Sequence, residues 1–444
     1  IGNTVLEEYH FRWIYNEYNR IISQNSLLDF DDMAARCLLL FQRNSTQLQF
    51  WQNRYKYILI DEFQDINTPQ YNVVRTLASV SRNIFVVGDD DQSIYGFRGS
   101  DPLIMQRFIQ DYPESKCILL NVNYRSKKEI VEAAAKCIGA NKNRISKEFL
   151  CPKDKITVVN SIQDDCTYNR LGLTQQPVAM KNFPSKETEA EYAINRLVRW
   201  KEAGNLYEEA AIICRTNYGV EEYALVLEKA GIPFQRREKK KSIFEHPIMK
   251  DIEAYIRLAA GEKSRSLLLQ IINRPARFIG REYFNSENMG LEELKRACIN
   301  ENTKADKIER LERECSRLIK MHPYPAVNYI RRAIGYDEYL KELAGNNKEQ
   351  LKTFIDTVDF IQNHAKEYDT LQDWLWAVER HRRDYVRTDN AEKKGVNLIT
   401  MHGAKGLEFS LVIIPDVNEG VIPGGKSHSN EDIEEERRIF YVAM

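Results

Sequence analysis

A chain of 444 residues with 43% hydrophobic and 29% charged residues has an ordinary globular composition, enough for two to four domains, and wholesale disorder is excluded. Its 64 basic and 65 acidic residues nearly cancel, so bulk charge argues neither for nor against a polyanionic partner. No apolar run reaches the ~18 residues of a membrane span, the N-terminus has no signal-peptide pattern, and the eight cysteines form no C-x-x-C pair, so a cytosolic protein without disulfides or zinc is expected.

The first 30 residues read as helix with an abrupt start and no cap. Strand-length apolar runs follow, YILI at 57–60, IFVV at 84–87 and CILL at 117–120, then AAIIC at 210–214, NLIT at 397–400 and LVII at 411–414. Helical segments separate them, which points to parallel α/β sheets whose strands are buried on both faces. Between about 244 and 390 the strand signals vanish, and PIMKDIEAYIRLAA places Ile252, Tyr255, Ile256 and Ala259 on one helical face. The simplest reading is an all-helical domain inserted into an α/β domain whose sheet begins near 117 and finishes near the C-terminus. The last residues, RRIFYVAM, stop inside a helix, so both termini read as cuts through a larger protein. Two basic clusters, RREKKK at 236–241 and RHRR at 380–383, are candidates for gripping duplex nucleic acid, although such runs are more often solvated faces.

Ligands in open α/β sheets bind beyond the carboxyl ends of strands, which makes DEFQD after YILI and GDDDQ after IFVV the places for chemistry. An apolar strand that delivers Asp61 and Glu62 suits phosphoanhydride hydrolysis, one carboxylate for magnesium and one to orient or deprotonate water. VVGDDDQSIYGFRGS supplies Gln92, an amide able to report on a terminal phosphate, and then Tyr95, Phe97 and Arg98 among glycines. Aromatics beside an arginine suit stacking of unpaired bases, worth roughly 1–3 kcal/mol per base. The run NVNYRS adds Tyr124 and Arg125, a permanently charged fork suited to a transferring phosphoryl group.

DEFQD, GDDDQSIYGFRGS, NYRS, ITMHGAKGLEF and EEERRIFYVAM stand in the order and rough spacing of one family. The chain resembles the UvrD/PcrA/Rep group of superfamily 1 DNA helicases over nearly its whole length, LLDFDDM and FEHPIMKDIEAYIRL included. The resemblance implies an α/β fold class, two RecA-like parallel-sheet domains of the P-loop NTPase fold with inserted helical subdomains. On that template residues 1–27 are the tail of a first insertion, 28–115 most of the first RecA-like domain, and 244–390 the second insertion. The second RecA-like domain comprises 116–243 and 391–444. The implied cofactors are ATP and Mg2+, with Asp61 and Glu62 on the metal and Glu62 activating water. Gln92, Arg125 and either Arg437 or Arg438 would reach the terminal phosphate, Tyr124 would stack on adenine, and Glu408 would contact the ribose. Tyr95, Phe97, Arg98 and His402 would lie along single-stranded DNA. His402 taken alone reads as a histidine satisfied by local backbone. The implied partners are single-stranded DNA, its junctions with duplex and an accessory loading protein, for a cytoplasmic monomer unwinding 3′ to 5′.

GVIPGGKS, 420–427, matches the phosphate-loop pattern G-x-x-x-x-G-K-[ST] letter for letter. Pro423 removes a backbone donor where the loop must offer amides, and the next helix is expected near Glu431 with Ser429 or Asn430 as its cap, past the lysine. A functional phosphate loop is therefore not expected here. The family's own loop precedes DEFQD and is absent from these 444 residues, so the chain by itself is expected not to hydrolyse ATP. Two rival readings are a non-catalytic DNA-binding protein that kept the fold, and a kinase-like enzyme that uses Lys426.

Overall fold

A computed structural model describes residues 8–147, 150, 178–237, 242–388, 394–424 and 429–444. The chain separates into two compact units, one gathering 238–393 and the other 6–237 with 394–444. Among the described residues no helix is long and apolar enough to cross a membrane.

The larger unit holds two parallel sheets. In the first, β1 (Ile58–Ile60) pairs with β2 (Ile84–Val86), Leu59 opposite Phe85. Side chains alternate across a strand, so Ile60, Ile84 and Val86 point together into a core of Phe63, Tyr71, Ile104, Phe108 and Tyr112. That core is closed by the helices Thr68–Ala78 and Ile104–Asp111, the first opened by a capping box between Asn67 and Gln70. The opposite face is bare: Leu59 is 71% exposed and Phe85 58%. Burial on both faces, expected for YILI and IFVV, is thus met on one face only.

The second sheet runs β4 (Phe234–Arg236), β5 (Val396–Thr400), β3 (Ala210–Cys214), β6 (Leu411–Ile413), all parallel. Every residue of β3 and β5 is buried, as a central parallel strand requires. Leu197, Trp200, Tyr223 and Leu227 cover one side, and Ile94, Met401, Ile439 and Ala443 the other. The expectation that this sheet begins near 117 is corrected. Residues 117–120 form no strand, and Ile118 and Leu120 are 76% and 83% exposed. An apolar run becomes a strand only where another strand takes its N–H and C=O groups, and the nearest pairing here is a lone bridge between Val122 and Leu150.

The smaller unit is helical throughout its described length, from Pro247–Ala259 to Leu371–Thr388. Ile252, Tyr255 and Ile256 are buried as the periodicity predicts, and Ala259 is half-buried. Its interior carries ion pairs. Asp251 accepts from Arg274, Gln270 and Tyr336, and Arg331 is held by Asp337, Asp359 and Gln362. The same economy engages half of RHRR within the unit. Arg382 donates twice to the Phe244 carbonyl and pairs with Glu253, while His381 stacks on the Phe244 ring. Arg380 and Arg383 alone face outward. In the other cluster Arg236 pairs with Glu221 and Arg237 donates to Asn397; residues 238–241 lie outside the described residues.

Arg331 sits 6% exposed against Asp337 at 2%. Removing one partner of a buried pair strands the other charge, so Arg331→Met should lower unfolding free energy by about 3–5 kcal/mol. Urea denaturation followed by circular dichroism checks this, and a loss under about 1 kcal/mol would show that the network contributes little.

Candidate functional site

Strand β1 ends at Ile60, and the chain turns at once. Asp61 receives the Glu62 amide on its own carboxylate at 2.9 Å, and Glu62 takes a left-handed backbone, φ +50°. A bulky residue there is strained, and such strain persists where the surroundings fix it. Here Gln64 fixes it by donating to Glu62 Oε2 at 2.6 Å and accepting the Asp89 amide at 3.0 Å. Gly88 makes this approach possible, since a Cβ on it would lie 2.5 Å from Gln64 Oε1. Asp61 and Glu62 are both exposed, so their carboxylates are open to a ligand.

The turn after β2 packs three acids, Asp89, Asp90 and Asp91, close enough to hold a cation. They already hold one. Lys147 places its ammonium among all three carboxylates, and Arg144 makes a two-pronged contact with Asp91 at 2.9 and 2.6 Å. Neither cation carries a sequence signal, because NKNRISK shows no apolar periodicity. Gln92 sits beside this cluster with its amide on Asp89 at 2.8 Å.

Beyond Gln92 the structure gathers the four predicted DNA-facing residues. Tyr95 and Phe97 ring centroids are 6.0 Å apart, His402 lies 5.6 Å from Phe97, and Arg98 stands over Tyr95 and Phe97 at 5.3 and 5.4 Å. His402 comes from the turn after β5, in the second sheet, so the face is built by both sheets. Phe97 is 67% exposed. Gly96 is pressed on Glu435, which accepts its amide at 3.1 Å and leaves no room for a Cβ.

EDIEEERR forms the start of the helix Asn430–Ala443, capped by Ser429. Glu431 and Asp432 are exposed, but its three other acids are committed to partners. Glu434 accepts the Lys142 amide, Glu435 that of Gly96, and Glu436 both the Arg215 guanidinium and the Gly424 amide. Arg438 is buried, 6% exposed, and donates to the Ser93 carbonyl at 2.7 Å; burial lowers its pKa from the usual arginine value. Arg437 donates to Asn141 at 2.5 Å. Arg125 pairs with Glu408 at 2.6 Å, both side chains about 60% exposed, and Tyr124 is 65% exposed.

The residue that sequence reasoning passed over is Lys405, three places before Glu408. Its ammonium meets Asp65 Oδ2 at 2.5 Å, the Gln92 carbonyl at 3.0 Å and Glu62 Oε2 at 3.7 Å. It also lies 5.2 Å from the Tyr95 ring centroid. Burial raises the Asp65 carboxyl above its usual pKa, and Lys405 works against that rise. The signal was available, since a lysine in a turn beside one sheet's strand end and an acid three past Glu62 are both in quoted motifs. Nothing in one dimension pairs them.

GVIPGGKS behaves otherwise. Gly420 donates to the Pro423 carbonyl, and the Gly424 amide is committed to Glu436, a carboxylate where a phosphate would need to be. The helix that follows starts at Asn430, past Ser427; Lys426 and Ser427 lie outside the described residues.

Residues 118–444 match the UvrD-like helicase C-terminal domain and 3–113 the UvrD/REP helicase N-terminal domain. The chain belongs to the UvrD-like helicase family. It is similar to a putative ATP-dependent DNA helicase, YjcD, of Bacillus subtilis, 32% identical over 97% of this chain and 56% of the relative. It is likewise similar to the ATP-dependent DNA helicase PcrA of Staphylococcus epidermidis, 32% identical over 97% of this chain and 59% of the relative. The Staphylococcus aureus PcrA is 30% identical over 98% of this chain and 60% of its own length. The chain thus spans little more than half the length of these UvrD-like relatives. The family is one of mixed α/β proteins with parallel sheets, as seen here.

The acid triad yields a direct test. Lys147→Ala should lower the melting temperature and leave three facing carboxylates, a donor set that suits Ca2+. Millimolar Ca2+ should then raise the variant's melting temperature and leave the wild type unmoved. A variant indifferent to Ca2+ would show that the triad does not converge on the ammonium.

Proposed function

We propose that this chain carries the hydrolytic carboxylates and the strand-facing aromatics of an ATP-dependent DNA helicase that moves 3′ to 5′. The observation that carries the reading is the convergence on Lys405: the Glu62–Asp65 turn of one sheet meets a turn of the other, with the Tyr95, Phe97 and His402 rings adjacent. Such a junction is where opening and closing of two lobes can alter a nucleotide site and a DNA site together. The boundaries proposed for the pieces are 28–115 for the first RecA-like domain, 116–243 with 391–444 for the second, and 244–390 for the helical insertion. The names of the relatives above support both nucleotide and DNA as ligands.

Asp61 and Glu62 fit magnesium as adjacent, exposed, hard oxygen donors at a strand end. Magnesium-bound ATP supplies the phosphoanhydride and part of the charge neutralisation. Glu62, whose carboxylate takes a hydrogen bond from Gln64, is assigned as the acceptor of a proton from water. Gln92, whose side-chain amide donates to Asp89, is assigned to the terminal phosphate, and Arg125 and Arg438 are the permanent cations for charge that builds on phosphoryl oxygens. Arg438 is favoured over Arg437 because its guanidinium already lies on Ser93, next to Gln92. Tyr124 offers an exposed ring for adenine, and Glu408, held by Arg125, an acceptor for ribose. Tyr95, Phe97, Arg98 and His402 form a stacking and cation face that suits unpaired bases, with no demand for a particular sequence.

Two measurements bear on this reading. Phe97→Ala should weaken oligothymidylate binding by about 5- to 150-fold, the equivalent of roughly 1–3 kcal/mol of stacking; unchanged affinity in fluorescence anisotropy would remove the DNA face. Because the only phosphate-loop match in the sequence is misplaced, the chain alone should release phosphate from ATP at background rate even with oligothymidylate present. Turnover well above background that disappears in Glu62→Gln would contradict that expectation.

A further inference from the structure

Lys405 is a single charge shared by two carboxylates and a carbonyl. Its side chain is 9% exposed, and it is enclosed by Asp65, Glu62 and the Gln92 carbonyl on one side and the Tyr95 ring on the other. The enclosure is not fully satisfied, since Asp65 Oδ1 is buried with no hydrogen-bond partner. A half-satisfied buried network is costly and sensitive to small displacements. Lysine suits such a place, being a compact charge on a flexible stem with three rotatable donors.

We propose that Lys405 is the positioning residue that conveys occupancy of the aromatic face to the Glu62–Asp65 carboxylates. The inference rests on the reading of Tyr95, Phe97, Arg98 and His402 as a single-strand face. With that face empty, the ammonium stays on Asp65 and neighbours Glu62, which holds Glu62 against a cation instead of a water. A base stacked on Tyr95 brings its phosphate charge to the other side of the same ammonium, and the hold on the carboxylates loosens. Coupling of this kind is reciprocal: whatever changes the carboxylate side must change DNA affinity by the same factor. Arg98 stands over the same two rings, yet it is exposed and on the outer side of the face, so it does not replace the relay.

A double-mutant cycle read by DNA binding tests this without requiring ATP turnover. Dye-labelled oligothymidylate is titrated with the wild-type chain, Asp65→Asn, Lys405→Gln and the double variant, each first checked for cooperative thermal unfolding. Asp65→Asn releases Lys405 toward the aromatic face and should tighten DNA binding at least about fivefold, the lower end of ordinary coupling. In the Lys405→Gln background the same change should move affinity by less than about twofold, whereas Lys405→Arg, which keeps the charge, should retain the effect. If Lys405→Gln does not fold, Lys405→Met takes its place with the same ratio as the readout. Equal factors in both backgrounds, or no change on Asp65→Asn alone, would show that Lys405 is only a structural clamp. Failure of the wild type to bind oligothymidylate is a separate outcome: it removes the DNA face itself and the inference with it.

Discussion

Buried and half-buried cations that must find acceptors on a neighbouring element are the constraint around which the larger unit is arranged. Lys405 reaches from the turn after β5 to Asp65, Arg438 from the last helix to Ser93, and Arg144 and Lys147 from a loop to the acids after β2. An unpaired charge in such a place costs several kcal/mol, so each cation ties its segment to its acceptor. Close backbone approach is the second half of the arrangement. Gly88 and Gly96 exist where Gln64 and Glu435 must come within contact distance of the main chain.

From this the site follows in steps. The open carboxylates Asp61 and Glu62 stand at a strand end, strained and oriented by Gln64. The aromatic face lies on the far side of Lys405, assembled from the turns of both sheets. The helix Asn430–Ala443 ties the two together: Glu435 seats the aromatic turn, Glu436 seats Arg215, and Arg438 seats Ser93. A helix with this many separate attachments suits transmission of small movements better than a solvated surface helix does.

Much of the architecture was legible because parallel strands buried on both faces leave a continuous apolar run, as AAIIC and NLIT do. CILL carries the same signal and forms no strand, since pairing is a tertiary event that an apolar run cannot guarantee. The helix cap at Ser429 was readable and decided against GVIPGGKS, because cap chemistry is local. The aromatic group was readable in part. Tyr95, Phe97 and Arg98 are neighbours in sequence, while His402, some 300 residues on, joined them only through the resemblance. RHRR was readable only as charge, which does not reveal that Arg382 is spent on Phe244 and Glu253 while Arg380 and Arg383 stay exposed. Lys405, Arg144 and Lys147 escaped notice because an ion pair between distant segments leaves no periodicity to detect.

The claim that turns of two sheets share one site is tested most directly by zero-length cross-linking. A carbodiimide joins a lysine to a carboxylate only at contact distance, and peptide mass spectrometry then identifies the pair. The expected product links Lys405 to Asp65, 2.5 Å apart, in the wild-type chain and is absent in Asp65→Asn. Coupling of Lys405 to carboxylates outside the Glu62–Asp65 turn, with none inside it, would contradict the shared site.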